Sequence, residues 1–354
     1  MSVPVAHGTL FNFAASPVGG GLKRLYEYAR WFDANGGARF IIHPACRHLQ
    51  REFPRNHFVI ARQSSASRIV RGVLAVHEIT RSQGAPDCYY AYGIPLRGKV
   101  GRINWFHLSN VLPLAWRTVP LPLPMRLRFR ILGGQIVAGL PFADVISAES
   151  SASLSLFDPV YRDRLFQSVN GSDEALSAAA ADSSERQAVA VVVGTYPYKA
   201  LDESCRVFDE LRKAVPQLRL VIFGDQAGVP RAIRNRRDVV VKGNRPHAEV
   251  MRELHRAKYY ISTTLIENSS NAAAEAVFFA EESYVSDIGP HRELLTGLSH
   301  ERVMLGETLR PLLHVRRREL TVANVKSWAQ IITEMNQHIV RALQLRSSAV
   351  RDGT

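Results

Sequence analysis

The sequence predicts an α/β chain built from two doubly wound, Rossmann-like domains. Short apolar runs alternate with segments of helical periodicity. That alternation puts parallel strands in a sheet covered on both faces. Glycine and proline stand at the joints between the segments. A length of 354 residues is too great for one ordinary domain and suits two.

Thr9–Phe13 reads as a first buried strand, followed by a glycine-rich loop. A helix over about Leu22–Ala34 comes next, with Leu22, Leu25, Ala29 and Phe32 on one face. Asn35-Gly36-Gly37 stops it, because glycine accepts the left-handed backbone that follows a helix. Phe40–Ile42, His57–Ile60, Cys88–Tyr92, Ile103–His107 and Val145–Ser147 are the further strands of a first domain, 1–167. Residues 168–187 have the serine, alanine and acidic composition of a linker. The second domain, 188–321, has strands Ala188–Val193, Leu218–Phe223, Val239–Lys242, Tyr259–Thr263 and Ser283–Ser286. Its helices run over Leu201–Ala214, Pro246–Ala257, Asn271–Ala280 and around His291–Leu295. The tail, 322–354, carries one long helix, Val322–Leu345.

Composition sets aside several classes. With 46% hydrophobic and 22% charged residues, the chain reads as soluble and globular. Its longest uncharged apolar stretch, Ile131–Ala143, is interrupted by glycines, Gln135 and Pro141. That falls short of the roughly 18–20 residues of a membrane span. Cys46, Cys88 and Cys205 are odd in number and lack C-x-x-C spacing. A disulfide framework or zinc site is therefore not expected, and a reducing, cytoplasmic setting is. No basic patch precedes an apolar core at the N-terminus, so no signal peptide is expected.

The net charge of +13 is lopsided, with 20 Lys and Arg against 9 Asp and Glu in residues 1–165. A basic half suits an anionic membrane surface or a phosphorylated substrate, or serves only solubility. No nucleic-acid-binding motif accompanies it, and nucleic acid is not expected as a partner. Within it, Leu112–Arg130 interleaves apolar residues with Arg126, Arg128 and Arg130. That pattern fits a membrane interface or a lipid-linked acceptor, and equally a plain surface loop and helix.

The chemistry concentrates in Glu267-Asn268-Ser269-Ser270-Asn271-Ala272-Ala273-Ala274-Glu275. Four polar residues precede an alanine-rich helix, and each is a good N-cap. If the helix starts near Ser270, its first amides and its dipole form an anion site suited to a diphosphate. Carboxylates beside a phosphate would serve neutral hydroxyls, which sugars supply. On spacing alone, E-x7-E is loose and also describes an ordinary capped helix.

The flanking sequence narrows this. From Val191 to Leu295 the chain resembles the nucleotide-binding domain of glycosyltransferase family 4. The resemblance rests on Val193-Gly194, Lys199, Pro216, Ile222-Phe223-Gly224, Val241-Lys242-Gly243, Arg256-Ala257, Ile261-Ser262 and Glu267 to Glu275, in that order. Tyr284-Val285-Ser286-Asp287 and His291-Arg292-Glu293-Leu294 extend it.

The resemblance implies the GT-B fold, two Rossmann-like domains facing across a cleft, with a C-terminal helix that crosses back onto the first. It implies sugar transfer with retention from a nucleoside diphosphate donor to a glycan or lipid-linked acceptor, in surface-polysaccharide synthesis at the inner face of a membrane. Glu267 would bond the donor sugar, Glu275 the ribose, and the amides of Asn271 and Ala272 the diphosphate. Lys199 would neutralise the departing phosphate. The family places an arginine after the first glycine, where this chain has Thr195. Gly20 and Gly21 would line the cleft under the phosphates, and His107 would stand near the transferred sugar. Without the resemblance, Gly20 and Gly21 are a tight turn, His107 a packed histidine and Lys199 a surface lysine. No Asp-x-Asp pair is present, so neither a required metal nor a separate cofactor is expected. A nucleotide-sugar epimerase and a silent sugar-nucleotide-binding subunit are the alternatives.

Overall fold

Parallel strands buried on both faces must be continuous apolar runs, and the runs read from the sequence are strands in the computed structural model. The structure describes residues 5–61, 76, 80–81, 84–171, 186–269, 271–317 and 326–352. Ser270, residues 172–185 of the expected linker and Val322–Val325 of the expected last helix lie outside these. The chain divides into two compact units. One comprises Met1–Leu114, Leu127–Gly171 and Lys326–Thr354, the other Ala115–Arg126 and Ser172–Val325.

The first unit holds β1 (Thr9–Phe13), β2 (Arg39–Ile42), β3 (His57–Ile60), β4 (Cys88–Tyr92), β5 (Ile103–His107), β6 (Val145–Ala148) and β7 (Leu165–Gln167). They form one parallel sheet in the order β3-β2-β1-β4-β5-β6-β7. The order reverses beside β1, so the topological switch point lies between β1 and β4. β7 has only three residues and is partly exposed, which hid it from a search for apolar runs.

The first helix, Gly19–Ala34, starts a turn earlier than its apolar face suggests. Gly20 and Gly21 therefore stand in its first turn and not in a loop before it. Packing of Leu25, Tyr28 and Phe32 against Phe11, Phe13 and Phe40 extends the helix over residues of poor intrinsic propensity. It ends at Ala34, and the backbone of Gly37 (φ +90°) brings the chain within contact of the Arg55 carbonyl, where a side chain has no room. The C-terminal helix, Trp328–Asp352, buries Trp328, Ile332, Met335 and Ile339 in the same core, at helical spacing. Its Asn336 accepts a hydrogen bond from the Ala6 amide (2.9 Å).

The second unit holds β8 (Gln187–Val193), β9 (Arg219–Phe223), β10 (Val239–Gly243), β11 (Ala257–Ser262), β12 (Glu282–Ser286), β13 (Glu301–Val303) and β14 (Leu312–Arg316). Gln187, expected at the end of the linker, already belongs to β8. The order is β10-β9-β8-β11-β12-β14-β13, parallel through β12 and antiparallel beyond it. β8 packs Ala190 and Val192 to one face and Val191 to the other, as the strand period of two requires. Helix Leu201–Ala214 covers the first face, and helices His247–Arg256 and Asn271–Phe279 the second. β13, a three-residue edge strand carrying Arg302, and β14, which pairs with both β12 and β13 and carries His314 and Arg316, escaped the sequence reading.

Candidate active site

In the second unit the order reverses between β8 and β11, and both strands run into loops at their carboxyl ends. Gly194, just after β8, has φ +98°, and a Cβ there would lie 3.0 Å from Lys199 Cε. Pro197–Lys199 form a 3-10 turn, and Ala200 takes the left-handed conformation (φ 48°) ahead of helix Leu201–Ala214. This loop is joined to the one after β11. The Leu265 amide donates to Tyr198 O (2.8 Å), and Thr263 Oγ1 donates to Ala200 O (2.9 Å). The result is an ion pair between the Lys199 ammonium and the Glu267 carboxylate, with the two side chains 18% and 16% exposed. Lys199 also lies over the Tyr198 ring (5.9 Å), which stacks on Tyr196. Burial, with the Glu267 charge added, holds the Tyr198 hydroxyl protonated.

The remaining sequence candidates of this unit are placed as follows. Asn271 and Ala272 are the first two residues of helix Asn271–Phe279, and first-turn amides have no partner within a helix. Glu275 stands one turn in and pairs with His247 Nε2 at 2.8 Å. Thr195 is buried, and its hydroxyl donates to Asp225 O at 2.8 Å. Gly224 and Gly228 press against it, leaving no room for a side chain of their own.

Sequence reasoning missed His291 as a site residue. It is fully buried, and its Nδ1–H donates to Ser286 O (2.7 Å), which leaves the Nε2 lone pair unpartnered. Burial, helped by the Lys199 charge, lowers its pKa to about 4.

In the first unit, His107 ends β5 at the carboxyl edge and is fully buried. Trp105 Nε1–H donates to Ser147 Oγ (2.6 Å), and Ser147 Oγ lies 2.8 Å from His107 Nδ1. Indole can only donate, so Ser147 Oγ is the acceptor of the Trp105 bond. His107 Nε2 lies 3.7 Å from Glu149 Oε1. Burial and then the Arg24 charge lower the His107 pKa to about 4, against an opposing pull from Glu149. The ring also stacks on Tyr92 at 5.0 Å. Gly20 is exposed in the first turn of its helix, and a Cβ on Gly21 would meet Ser16 Oγ at 2.9 Å and Tyr92 Cε1 at 3.1 Å. The first helix has no side-chain N-cap.

Arg24 and Glu149 also escaped the sequence reading. Their only sequence signals are a cation beside an apolar helix face and one acid in the run Ser147-Ala148-Glu149-Ser150.

No protein-family model matches the sequence, and no curated protein matches it. Solved structures match over 95–98% of its length. WaaG, a glycosyltransferase involved in lipopolysaccharide biosynthesis, superposes with a TM-score of 0.60 at 12% identity, over 95% of this chain and 99% of that one. Sucrose-phosphate synthase from Thermosynechococcus elongatus gives 0.59 at 13% identity, over 98% of each chain. The chain has the GT-B fold. HepE of Anabaena, solved in complex with UDP and glucose, shares the GT-B fold with a TM-score of 0.55 at 14% identity, over 98% of this chain and 99% of that one. At such identities the likeness is one of fold. Within this GT-B chain, Lys199 and Glu267 occupy the switch point of the second sheet, and His107 the carboxyl edge of the first.

Proposed function

We propose that this chain is a retaining glycosyltransferase of the family 4 type. It moves a sugar from a nucleoside diphosphate donor to a glycan or lipid-linked acceptor, in surface-polysaccharide synthesis of the lipopolysaccharide kind. The observation that carries the reading is the Lys199–Glu267 pair at the switch point of the second sheet, on the loop that leads into helix Asn271–Phe279. A fixed cation, a carboxylate and a helix N-terminus are the groups a sugar diphosphate needs. HepE, solved with UDP and glucose, and WaaG, of lipopolysaccharide synthesis, support the substrate class and the pathway.

In this reading the diphosphate lies at the first turn of helix Asn271–Phe279, where the Asn271 and Ala272 amides donate to it. Glu275 accepts from the ribose. Lys199 leaves Glu267 for the phosphate oxygens that gain charge as the bond to the anomeric carbon breaks. Glu267, released, accepts from hydroxyls of the sugar. The acceptor oxygen bonds to the same face of the anomeric carbon, and its proton passes to the leaving phosphate. Lys199 and the helix N-terminus neutralise the diphosphate, so the reading requires no metal.

A nucleoside diphosphate at 100 times its Kd should stabilise the chain by about 2.7 kcal/mol. Thermal shifts with uridine, guanosine, adenosine and thymidine diphosphates measure this, and Glu275→Ala should reduce the response. If none of the four shifts the melting temperature, the donor site is wrong. Release of a free sugar isomer without an acceptor would identify an epimerase, and binding without turnover a silent subunit.

The reading includes peripheral attachment to an anionic membrane. Helix Leu123–Gly139 leaves Leu123 (76%), Leu127 (57%) and Ile131 (55%) exposed at intervals of four residues, with Arg126, Arg128 and Arg130 exposed beside them. An apolar stripe flanked by arginines suits the boundary between acyl chains and anionic headgroups.

A further inference from the structure

A basic cavity lies at the amino edge of the first sheet. β1, β2 and β3 run parallel, and their amino ends gather four basic residues. His7 comes just before β1, Arg39 opens β2, Arg55 comes just before β3 and His57 opens it. With Gly36, Gly37 and Ala38 they line an open cavity of about 480 Å3, the size of a small-molecule site. His107 ends β5 at the carboxyl edge of the same sheet, so it and the cavity stand at opposite ends of the strands.

The backbone explains why these groups meet. Helix Gly19–Ala34 turns sharply to enter β2, through Gly36 (φ +102°) and Gly37 (φ +90°). A Cβ on Gly36 would lie 2.7 Å from His7 Cε1, and one on Gly37 would lie 2.1 Å from the Arg55 carbonyl oxygen. The glycine pair thus lets the His7 ring and the Arg55 backbone close on the turn. His7 Nδ1, 3.2 Å from Gly37 O, donates to it.

The guanidiniums lack acidic partners. No Asp or Glu is among the described residues that line the cavity. Neither Arg39 nor Arg55 makes an ion pair among the described residues. Arg39 Nη2 donates a long bond to Gly8 O (3.3 Å), and the Arg55 side chain is exposed. Asp33, the acid nearest the glycine turn in sequence, accepts from the Arg55 amide through Oδ1 (2.6 Å). The carbonyls that make the negative end of the helix are also occupied. Asn35 Nδ2 donates to Trp31 O (2.7 Å) and the Gly37 amide to Phe32 O (2.7 Å). Two guanidiniums on one cavity repel each other, and a bound anion relieves that repulsion. Each offers a planar fork of donors that fits two oxygens of one anion. A phosphate monoester carries three terminal oxygens and close to two charges, so it serves two forks where a carboxylate serves one.

We propose that His7, Arg39, Arg55 and His57 form a phosphate-monoester site at the amino edge of the first sheet, separate from the transfer site. A soluble phosphate ester and a phosphomonoester lipid headgroup both carry this chemistry. The proposal does not depend on the glycosyl-transfer reading.

The test uses the full chain at physiological ionic strength, where loose attraction between exposed charges is screened over about 8 Å. One arm is calorimetric titration with glucose 6-phosphate. The other is co-sedimentation with phosphatidylcholine vesicles that contain phosphatidic acid. The expected result is saturable binding in at least one arm, with a Kd of about 1 mM or tighter for the soluble ester. Arg39→Gln and Arg55→Gln should each weaken it about tenfold, the scale of one charge-assisted bond. Arg162→Gln removes an exposed arginine of the same unit outside the cavity and should leave binding unchanged. Circular dichroism checks that the variants are folded. Should Arg39→Gln disturb β2, Arg55→Gln, exposed and outside any strand, still decides. Binding of glucose 6-phosphate identifies a soluble ligand, and binding of the vesicles alone a lipid headgroup. Absence of binding in both arms refutes the site, as does binding that survives Arg55→Gln. An equal loss in Arg162→Gln also refutes it, since net charge would then be the cause.

Discussion

Lys199 and Glu267 neutralise one another across 68 positions of sequence, and in the proposed reaction each has a different task once a donor is bound. Glu267→Gln keeps the shape and removes the charge, so nucleoside diphosphate binding should stay nearly normal. Transfer should fall by about 10²-fold, because a misplaced sugar forfeits positioning. Lys199→Ala should cost transfer roughly 2–4 kcal/mol in activation free energy, the scale of one aimed charge at a leaving group. Steady-state kinetics on the two variants checks both, and full activity in Glu267→Gln would return the segment to an ordinary capped helix. Ala200, between this pair and helix Leu201–Ala214, is the one non-glycine residue of positive φ among the described residues. A left-handed alanine stores about 1 kcal/mol that glycine does not. Ala200→Gly should therefore raise the urea midpoint, and a lowered midpoint would show that the strain is absent.

Among elements, helix Leu123–Gly139 makes the clearest separate prediction. Its buried side is Phe129, Gly133 and Ile136, while its exposed side carries the Leu123–Leu127–Ile131 stripe. Substituting Leu127 by Glu leaves the buried side untouched and puts an acid in the stripe. Co-sedimentation with anionic vesicles should be strong for the wild type at low salt and weaker near physiological ionic strength, where charges are screened over about 8 Å. It should be nearly lost in Leu127→Glu. Equal binding to neutral vesicles, or binding indifferent to salt, would remove the membrane proposal and leave the enzyme intact. Elements also differ in how legible they were. β1, β3, β4 and β5 have the bounds read from the sequence, and the polar Asn12 and Asn104 inside β1 and β5 are buried there with hydrogen-bond partners. The first helix gained a turn over its glycines, because tertiary packing outweighs local propensity.

Over the whole molecule, two buried histidines make stability depend on pH. His107 and His291 each have a folded pKa of about 4, below the ordinary 6.5 or so. Between these values the unfolded chain binds protons that the folded chain does not, so stability is complete above about pH 6.5 and declines as pH falls toward 4. The decline is about 1.4 kcal/mol per pH unit for each histidine inside that window. His338, whose pKa is also lowered by burial, acts in the same direction. Asp238, Asp287 and Glu282 have pKa values depressed by their ion pairs, so their contribution is lost only at lower pH. Urea unfolding at pH 7.5 and pH 5 thus isolates the histidines. The wild type should lose several kcal/mol between the two, and His107→Asn combined with His291→Asn should lose much less. An equal loss in both proteins would mean that the protons bind elsewhere.

The sequence by itself determined that the chain is two α/β sheets, where most strands lie, and that a helix begins a few residues after Glu267. These are local facts, since an apolar run, a turn glycine and a cap depend only on neighbours along the chain. What tertiary structure decided is which distant residues meet. Parallel strands are joined by crossovers, so neighbours in the sheet are far apart in sequence, and no local period encodes their order. Strand order sets β8 beside β11, and with them Lys199 beside Glu267. It sets β5 beside β6, and so brings Glu149 to His107, while the buried Arg24 reaches the same carboxylate from 125 residues away. Thr195 shows the same division. Its position after Gly194 was legible, but its packing against Gly224 and Gly228 and its bond to Asp225 O were not.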